Sequence, residues 1–289
     1  MYAASLPSSA GIAAPLAAAN RSHGRTRIAF GLRAGRTALE TLYQEGCSRV
    51  LRPAMAPGAS PQAVLINTAG GITGGDTLDA EVRIGPGAGA VVTSQAAEKI
   101  YRSAGGESRV TTELHVGEGA WLAWLPQETI LFDGSRLQRE TTIRVARGGR
   151  LLACEALAFG RQARREQMRS GLLHDTWRVL RDGKLVWADS LRLEDDVSTV
   201  LARTATADGA VALATVLYVA DDVTGLLETA REMTACTHVT AAATTVGGVL
   251  LARFAADSTY ALRRELVPFL SLFLEAAEIP AALPSAWSF

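Results

Sequence analysis

Three glycine turns, Gly87-Ala-Gly-Ala90, Gly117-Glu-Gly-Ala120 and Arg147-Gly-Gly-Arg150, recur at a period of 30 residues. Each follows a stretch in which apolar and polar residues alternate. Each also precedes an apolar run: Val91-Val-Thr-Ser94, Trp121-Leu-Ala-Trp-Leu125 or Leu151-Leu-Ala-Cys154. A strand-turn-strand unit cannot bury its own apolar face. A fixed period of this size therefore points to units stacked on one another, as in a β-solenoid or layered sheets. An ordinary meander with coincidental spacing is the competing arrangement.

The flanking segments support strands. Leu78, Ala80, Val82 and Ile84 alternate with charged Asp79, Glu81 and Arg83, and Val110, Thr112, Leu114 and Val116 repeat the pattern. Asp182-Gly183 between Trp177-Arg-Val-Leu180 and Leu185-Val-Trp187 is a hairpin signal. Helical spacing appears only late in the chain. Val223, Leu226, Leu227, Ala230 and Met233 form one stripe. Leu262, Leu266, Phe269, Leu270 and Phe273 form another behind a capping Ser258, with Pro268 expected to bend or break it. The predicted fold is mainly β, with stacked, solenoid-like sheets of strand-turn-strand units and about two C-terminal α-helices, near residues 222–234 and 258–277. Residues 1–25, rich in Ala, Ser, Pro and Gly, read as a disordered tail, and residues 26–289 as a single domain.

With 289 residues, 48% of them hydrophobic, the chain can bury a full core. Lys plus Arg equals Asp plus Glu at 29 each, so no global field favours nucleic acid or an anionic membrane. The longest apolar run, residues 210–220, lies between Asp208 and Asp221 and is too short for a bilayer span; it reads as a buried strand. Cys47, Cys154 and Cys236 are an odd count at wide spacing, which argues against a disulfide framework and a Cys-x-x-Cys metal site. A reducing cytoplasm is the simplest location. The histidines His23, His115, His174 and His238 lack metal-site spacing, and no Gly-x-Ser-x-Gly elbow accompanies them, so neither a closed metal site nor a hydrolase triad is indicated.

Gly70-Gly-Ile-Thr-Gly-Gly-Asp76 is the densest glycine segment, but it is no phosphate cradle: Asp76 stands where a P-loop needs lysine. Acids set into apolar strands carry more information, because an ionised carboxylate is rarely buried unless paired, hydrated or functional. Glu155 interrupts the run from Leu151 to Phe159, Asp189 follows Leu185-Val-Trp-Ala188, and Asp76 ends the glycine loop. Glu98 and Glu128 share a phase of the 30-residue period, so stacking would bring their turns together. A salt bridge to one of the many arginines is the bland reading of each acid; a hydrated acidic path for a divalent cation is the functional one.

Four ordered segments resemble one family. They are Gly70-Gly-Ile-Thr-Gly-Gly-Asp-Thr-Leu78, Thr93-Ser-Gln-Ala-Ala-Glu-Lys-Ile-Tyr-Arg-Ser103, Trp124-Leu-Pro-Gln-Glu-Thr-Ile130, and Gly160-Arg161 with Glu166 beyond it. Weaker agreement continues through Arg253-Phe254 and Leu283-Pro-Ser-Ala-Trp287. From about Leu39 onward the chain is similar to the urease accessory protein family UreD, called UreH in some organisms. The resemblance implies a non-enzymatic scaffold that, with UreF and the GTPase UreG, docks on apo-urease and helps deliver nickel to its active site. It implies no permanently bound cofactor, only nickel in transit through an internal water-filled tunnel. By motif, the family's implicated acids fall on Asp76, Glu155 and Asp189. The chain departs from the family at Arg165, where glycine is usual, at Ser285, where relatives tend to have arginine, and at Asn67-Thr-Ala69, which replaces a proline-rich approach. A docking module that remodels urease without any metal path is the alternative.

Overall fold

The computed structural model describes residues 21–56, 58–235 and 238–288. Its strands are β1 (His23–Arg33), β2 (Arg36–Gly46), β3 (Ser48–Leu51), β4 (Gln62–Asn67), β5 (Thr77–Ile84), β6 (Gly89–Ser94), β7 (Glu98–Ile100), β8 (Ser108–Val116) and β9 (Trp121–Leu125). They continue as β10 (Thr129–Leu131), β11 (Arg136–Val145), β12 (Arg150–Phe159), β13 (Ser170–Arg181), β14 (Lys184–Asp196), β15 (Ala212–Val219), β16 (Thr240–Val246) and β17 (Val249–Ala256). Helices α1 (Val197–Ala202), α2 (Val223–Ala235) and α3 (Thr259–Ala276), with two short 3₁₀ turns at Gln162–Arg164 and Ser285–Trp287, complete the described elements.

The 30-residue units sort their two strands into two sheets. A seven-stranded sheet A has the order β14-β13-β11-β8-β5-β1-β2, and a ten-stranded sheet B contains β16-β17-β15-β12-β9-β6-β4-β3, with β10 pairing β12 and β7. Within the repeat, β5, β8 and β11 pair in parallel, as do β6, β9 and β12. The meander is thereby excluded, and the units meet through backbone hydrogen bonds, rung upon rung. The turns show why glycine recurs. Gly87, Gly119 and Gly148 take φ near +60 to +70°, which L side chains resist. At Gly149 a Cβ would sit 2.8 Å from the Ala146 oxygen, so the turn leaves no room for a side chain.

Parallel stacking in register makes rows of like side chains. Ile28, Val82, Leu114, Ile143 and Val179 form one inward row across sheet A, all essentially inaccessible. Each such residue contributes about 1.5–3 kcal/mol of burial. Sheet B answers with Ala90, Val92, Leu122, Trp124, Leu151 and Ala153. Its other face is buried too, beneath α2, α3 and the chain end, where Leu152, Cys154 and Tyr218 meet Phe269, Phe273 and Trp287. Burial on both faces explains why β6, β9 and β12 read as continuous apolar runs while sheet A alternates.

The expected hairpin turns at Asp182-Gly183 between β13 and β14, and Ser258 caps α3 by accepting from the Ala261 amide at 3.1 Å. Helix α3 is not broken at Pro268 but runs on through it. An interior proline costs about 3 kcal/mol, and here Leu266, Phe269, Leu270, Phe273 and Leu274, all buried around it, offset that cost. β1 begins at His23, inside the stretch read as a tail; residues 1–20 of that expected tail lie outside the described ones. Cys47 and Cys154 are free thiols, and Cys236 is not among the described residues.

Candidate functional site

Two apolar clusters fill the space between the sheets, one around Ile28, Leu114 and Leu151, the other around Ile100, Leu137 and Phe159. Between them the rows turn polar. In sheet A, Leu78 and Val110 are followed across the rungs by Arg139 and Asp175; in sheet B, the rung beyond Ala153 holds Glu155, Thr215 and Arg253. Glu155 shares its face with Leu151 and Ala153, so it points at sheet A, whereas Leu152 and Cys154 point under the helices. Burial pushes the Cys154 thiol up, as befits an inert core cysteine.

Arg139 is the centre of this layer. Its Nε and Nη2 donate to the two Asp175 oxygens, each at 3.0 Å, its Nη2 lies 2.7 Å from Glu155 Oε1, and its Nη1 donates to Thr129 Oγ1 at 3.1 Å. Trp177 Nε1 donates to Glu155 Oε2 at 3.2 Å and to Asp175 Oδ2 at 3.3 Å. Arg139 is 7% exposed and Asp175 4%, so the charges are held by one another and not by bulk water. Burial drives the Glu155 carboxyl well above the ordinary glutamate value, with Arg139 opposing. Burial works on Asp175 in the same sense, but Arg139 and the hydrogen bonds from Glu155 and Trp177 outweigh it and hold that carboxyl below the ordinary range.

A cavity lies on either side of the cluster. The first, about 230 Å³, is walled by Arg139, Glu155, Gln127, Thr129 and Glu98 and reaches exposed Gln95 and Lys99. The second, about 400 Å³, is walled by Glu155, Asp175, Trp177, Asp189, Thr215 and Arg253 and reaches exposed Thr206 and Thr240. Glu155 belongs to both walls. Both spaces are roomy enough for several waters, given polar partners. Among the described residues, no three His, Cys, Asp or Glu side chains gather into a metal-ligating group.

The acids singled out in the sequence are thus treated differently. Glu155 stands between the cavities. Asp189 lines the second and pairs with Arg253. Asp76 lines neither: its Oδ1 accepts from the Ser22 amide and its Oδ2 from the Thr73 amide, each at 2.8 Å, which closes the glycine loop. That loop packs against the next rung, since a Cβ on Gly71 would lie 2.7 Å from the Lys99 oxygen and one on Gly74 2.5 Å from that of Gly105. The turns of Glu98 and Glu128 do meet, the Glu98 amide donating to the Glu128 carbonyl at 2.9 Å. Their side chains go elsewhere, Glu98 to Asn67 and Glu128 to Arg263. Burial raises the Glu98 carboxyl above its ordinary value.

The Gly160-Arg161 segment is a brace at the rim. Arg161 pairs with Glu166 and lies over the Phe132 ring at 4.3 Å, and Glu166 accepts from the Asp133 amide at 3.0 Å. Arg165 takes φ 56°, the left-handed conformation that glycine supplies without strain, so the turn survives the departure at a cost of about 1 kcal/mol. The closing motif is a plug: buried Trp287 donates to the Leu125 carbonyl at 2.9 Å, and Arg263 lies over its ring and donates to the Ala286 carbonyl.

Sequence reasoning did not single out Arg139 or Asp175 and met Arg253 only within a motif. A phase test would have found the first two, because Leu137-x-Arg139-x-Thr141-x-Ile143 and Leu173-x-Asp175-x-Trp177-x-Val179 place a charge in the buried phase.

Comparison with known proteins agrees with the motif reading. Residues 22–288 match the family described as UreD urease accessory protein. The urease accessory protein UreD of Chelativorans sp. (strain BNC1) is 44% identical over 273 residues, covering 93% of this chain and 94% of that one. Its counterpart in Magnetococcus marinus is 42% identical over 269 residues, covering 91% and 93%. Urease accessory protein UreD 1 of Brucella melitensis biotype 1 is 40% identical over 272 residues, covering 93% and 94%.

Proposed function

The chain belongs to the UreD family of urease accessory proteins, whose role is in urease maturation, and on that premise we propose that it is a non-enzymatic scaffold carrying nickel toward apo-urease through its interior. In this reading it works in the cytoplasm with UreF and the GTPase UreG, and nickel is cargo rather than a resident cofactor. The single observation behind the path is that Glu155 lines both interior cavities, so one carboxyl can be approached from either side of the sandwich. Oxygen donors suit the task. Carboxylate and water hold a divalent first-row ion more weakly than clustered imidazole or thiolate, and a conduit must release what it takes up.

Asp189, which also lines the second cavity, is the next carboxylate on this path. Asp76 is spent on backbone amides, and its part is to fix the glycine loop and the start of β5. That placement also favours one element of the alternative, in which the chain only docks and remodels urease, because a path of all three acids is interrupted at its first member. One experiment separates the two readings. Glu155→Gln and Asp189→Asn, singly and together, are expected to leave the chain folded and bound to its partners yet lower urease activation and nickel content in cells. Wild-type activation by the double variant would remove the transport reading and leave docking.

A further inference from the structure

Each carboxylate on the path already has a cation. Arg139 of sheet A reaches across to Glu155 of sheet B, and Arg253 of sheet B reaches across to Asp189 of sheet A. Glu155, Asp189 and Arg253 all line the second cavity, with Thr215 between Glu155 and Arg253 along the same rung. Resting on the transport reading, we propose that Arg139 and Arg253 are resident counter-cations, which a divalent ion must displace from Glu155 and Asp189 and which reclaim those carboxylates once it moves on.

The geometry makes such exchange inexpensive in rearrangement. Arg139 is anchored by two contacts to Asp175 and one to Thr129 besides its Nη2 contact to Glu155, so Glu155 can turn away, giving up that contact and its bond from Trp177, while Arg139 stays in place. At the outer pair both side chains are partly solvated, 56% exposed for Arg253 and 40% for Asp189, so the guanidinium can swing into water. A dication attracts a carboxylate about twice as strongly as a guanidinium at equal distance, which lets it win the exchange locally. The returning arginine then offsets much of that attraction, which keeps residence short. No covalent bond between heavy atoms is made or broken, and any proton held by the buried Glu155 carboxyl passes to water in the adjoining cavity as the ion binds and returns as it leaves.

Removing a counter-cation should therefore make the chain hold its cargo too well. The test uses the full-length chain, co-produced and purified with its urease accessory partners, carrying Arg253→Gln, Arg253→Lys, or Arg253→Gln with Asp189→Asn. Equilibrium dialysis against radioactive Ni²⁺ reads retention, and urease activity in cells lacking the native copy reads delivery. Arg253→Gln is expected to retain Ni²⁺ roughly five-fold more tightly, since an unmasked carboxylate replaces a paired one, and to deliver less. Arg253→Lys should behave as wild type, and the added Asp189→Asn should return retention to the wild-type level. Unchanged retention in Arg253→Gln, with Glu155→Gln and Asp189→Asn still impairing activation, would overturn this inference and spare the path. Wild-type activation by the acid variants would remove the path and this inference with it.

Discussion

Strand β12 belongs to two different interiors. On one face Leu152, Cys154 and Ala156 enter a predominantly apolar core roofed by α2, α3 and Trp287. On the other, two residues along from Ala153, Glu155 enters a layer containing Arg139, Asp175 and two cavities. The first interior is closely packed, the second holds charge and open space, and the backbone that divides them is shared. A close-packed side tolerates little loss of volume, so the helix-covered face can hold the sandwich rigid while the space between the sheets stays incompletely filled.

That contrast can be broken or sharpened by substitution. The largest effect should come from the roofed face: Phe273→Ala, removing a fully buried ring in contact with Tyr218 and Phe269, is expected to cost about 3–5 kcal/mol. Chemical denaturation would measure it, and the surviving folded protein should still handle nickel normally. At the rim, Asp133 accepts from the Arg169 and Ser170 amides at 2.9 and 3.0 Å and pairs with Arg102. Burial raises its carboxyl, but those partners more than compensate and leave it below its ordinary value of 3.8. Its contribution is therefore complete above that value and fades as pH falls through the depressed folded value. Asp133→Asn should lose about 1.5 kcal/mol at neutral pH, with the gap from wild type closing in acid; a gap that does not narrow would contradict the assignment.

In the polar layer, stability and function should separate. Glu155→Gln leaves Arg139 with both Asp175 oxygens, so it should cost no more than about 1 kcal/mol, while nickel delivery falls. Strong destabilisation without a delivery defect would erase the distinction between the two interiors. The smallest change belongs to the turn beside the brace. Arg165→Gly relieves a left-handed residue at the expense of chain entropy, a net gain of about 0.5 kcal/mol, visible as a slight rise in thermal midpoint with delivery unaltered.

The sequence disclosed the architecture where it repeated itself and the polar layer where an acid broke an apolar run. The 30-residue turns led to parallel stacking, and Glu155 was visible as the lone charge between Leu151 and Phe159. What stayed hidden was set by tertiary pairing. Asp76 looks like Glu155 in one dimension, yet nearby amides absorb it. Arg139 and Asp175 sit in strands whose alternation reads as ordinary, and only the stacking of β11 beside β13 makes them partners. Pro268 looked disruptive because local rules know nothing of the sheet beneath α3.

Since each turn of the coil adds one strand to each sheet, sequence distance converts to sideways distance: about 30 positions along the chain, 32 from β5 to β8 and 29 from β8 to β11, amount to one step of about 4.8 Å across it. The protein is in this sense a grid, with column set by place in the unit and line by which unit. A charge gained at one column should be answered at its register partner, 32 residues on between β5 and β8 and 29 between β8 and β11, more readily than by its neighbour in the chain, and comparisons among relatives can look for such substitutions travelling in pairs at those offsets.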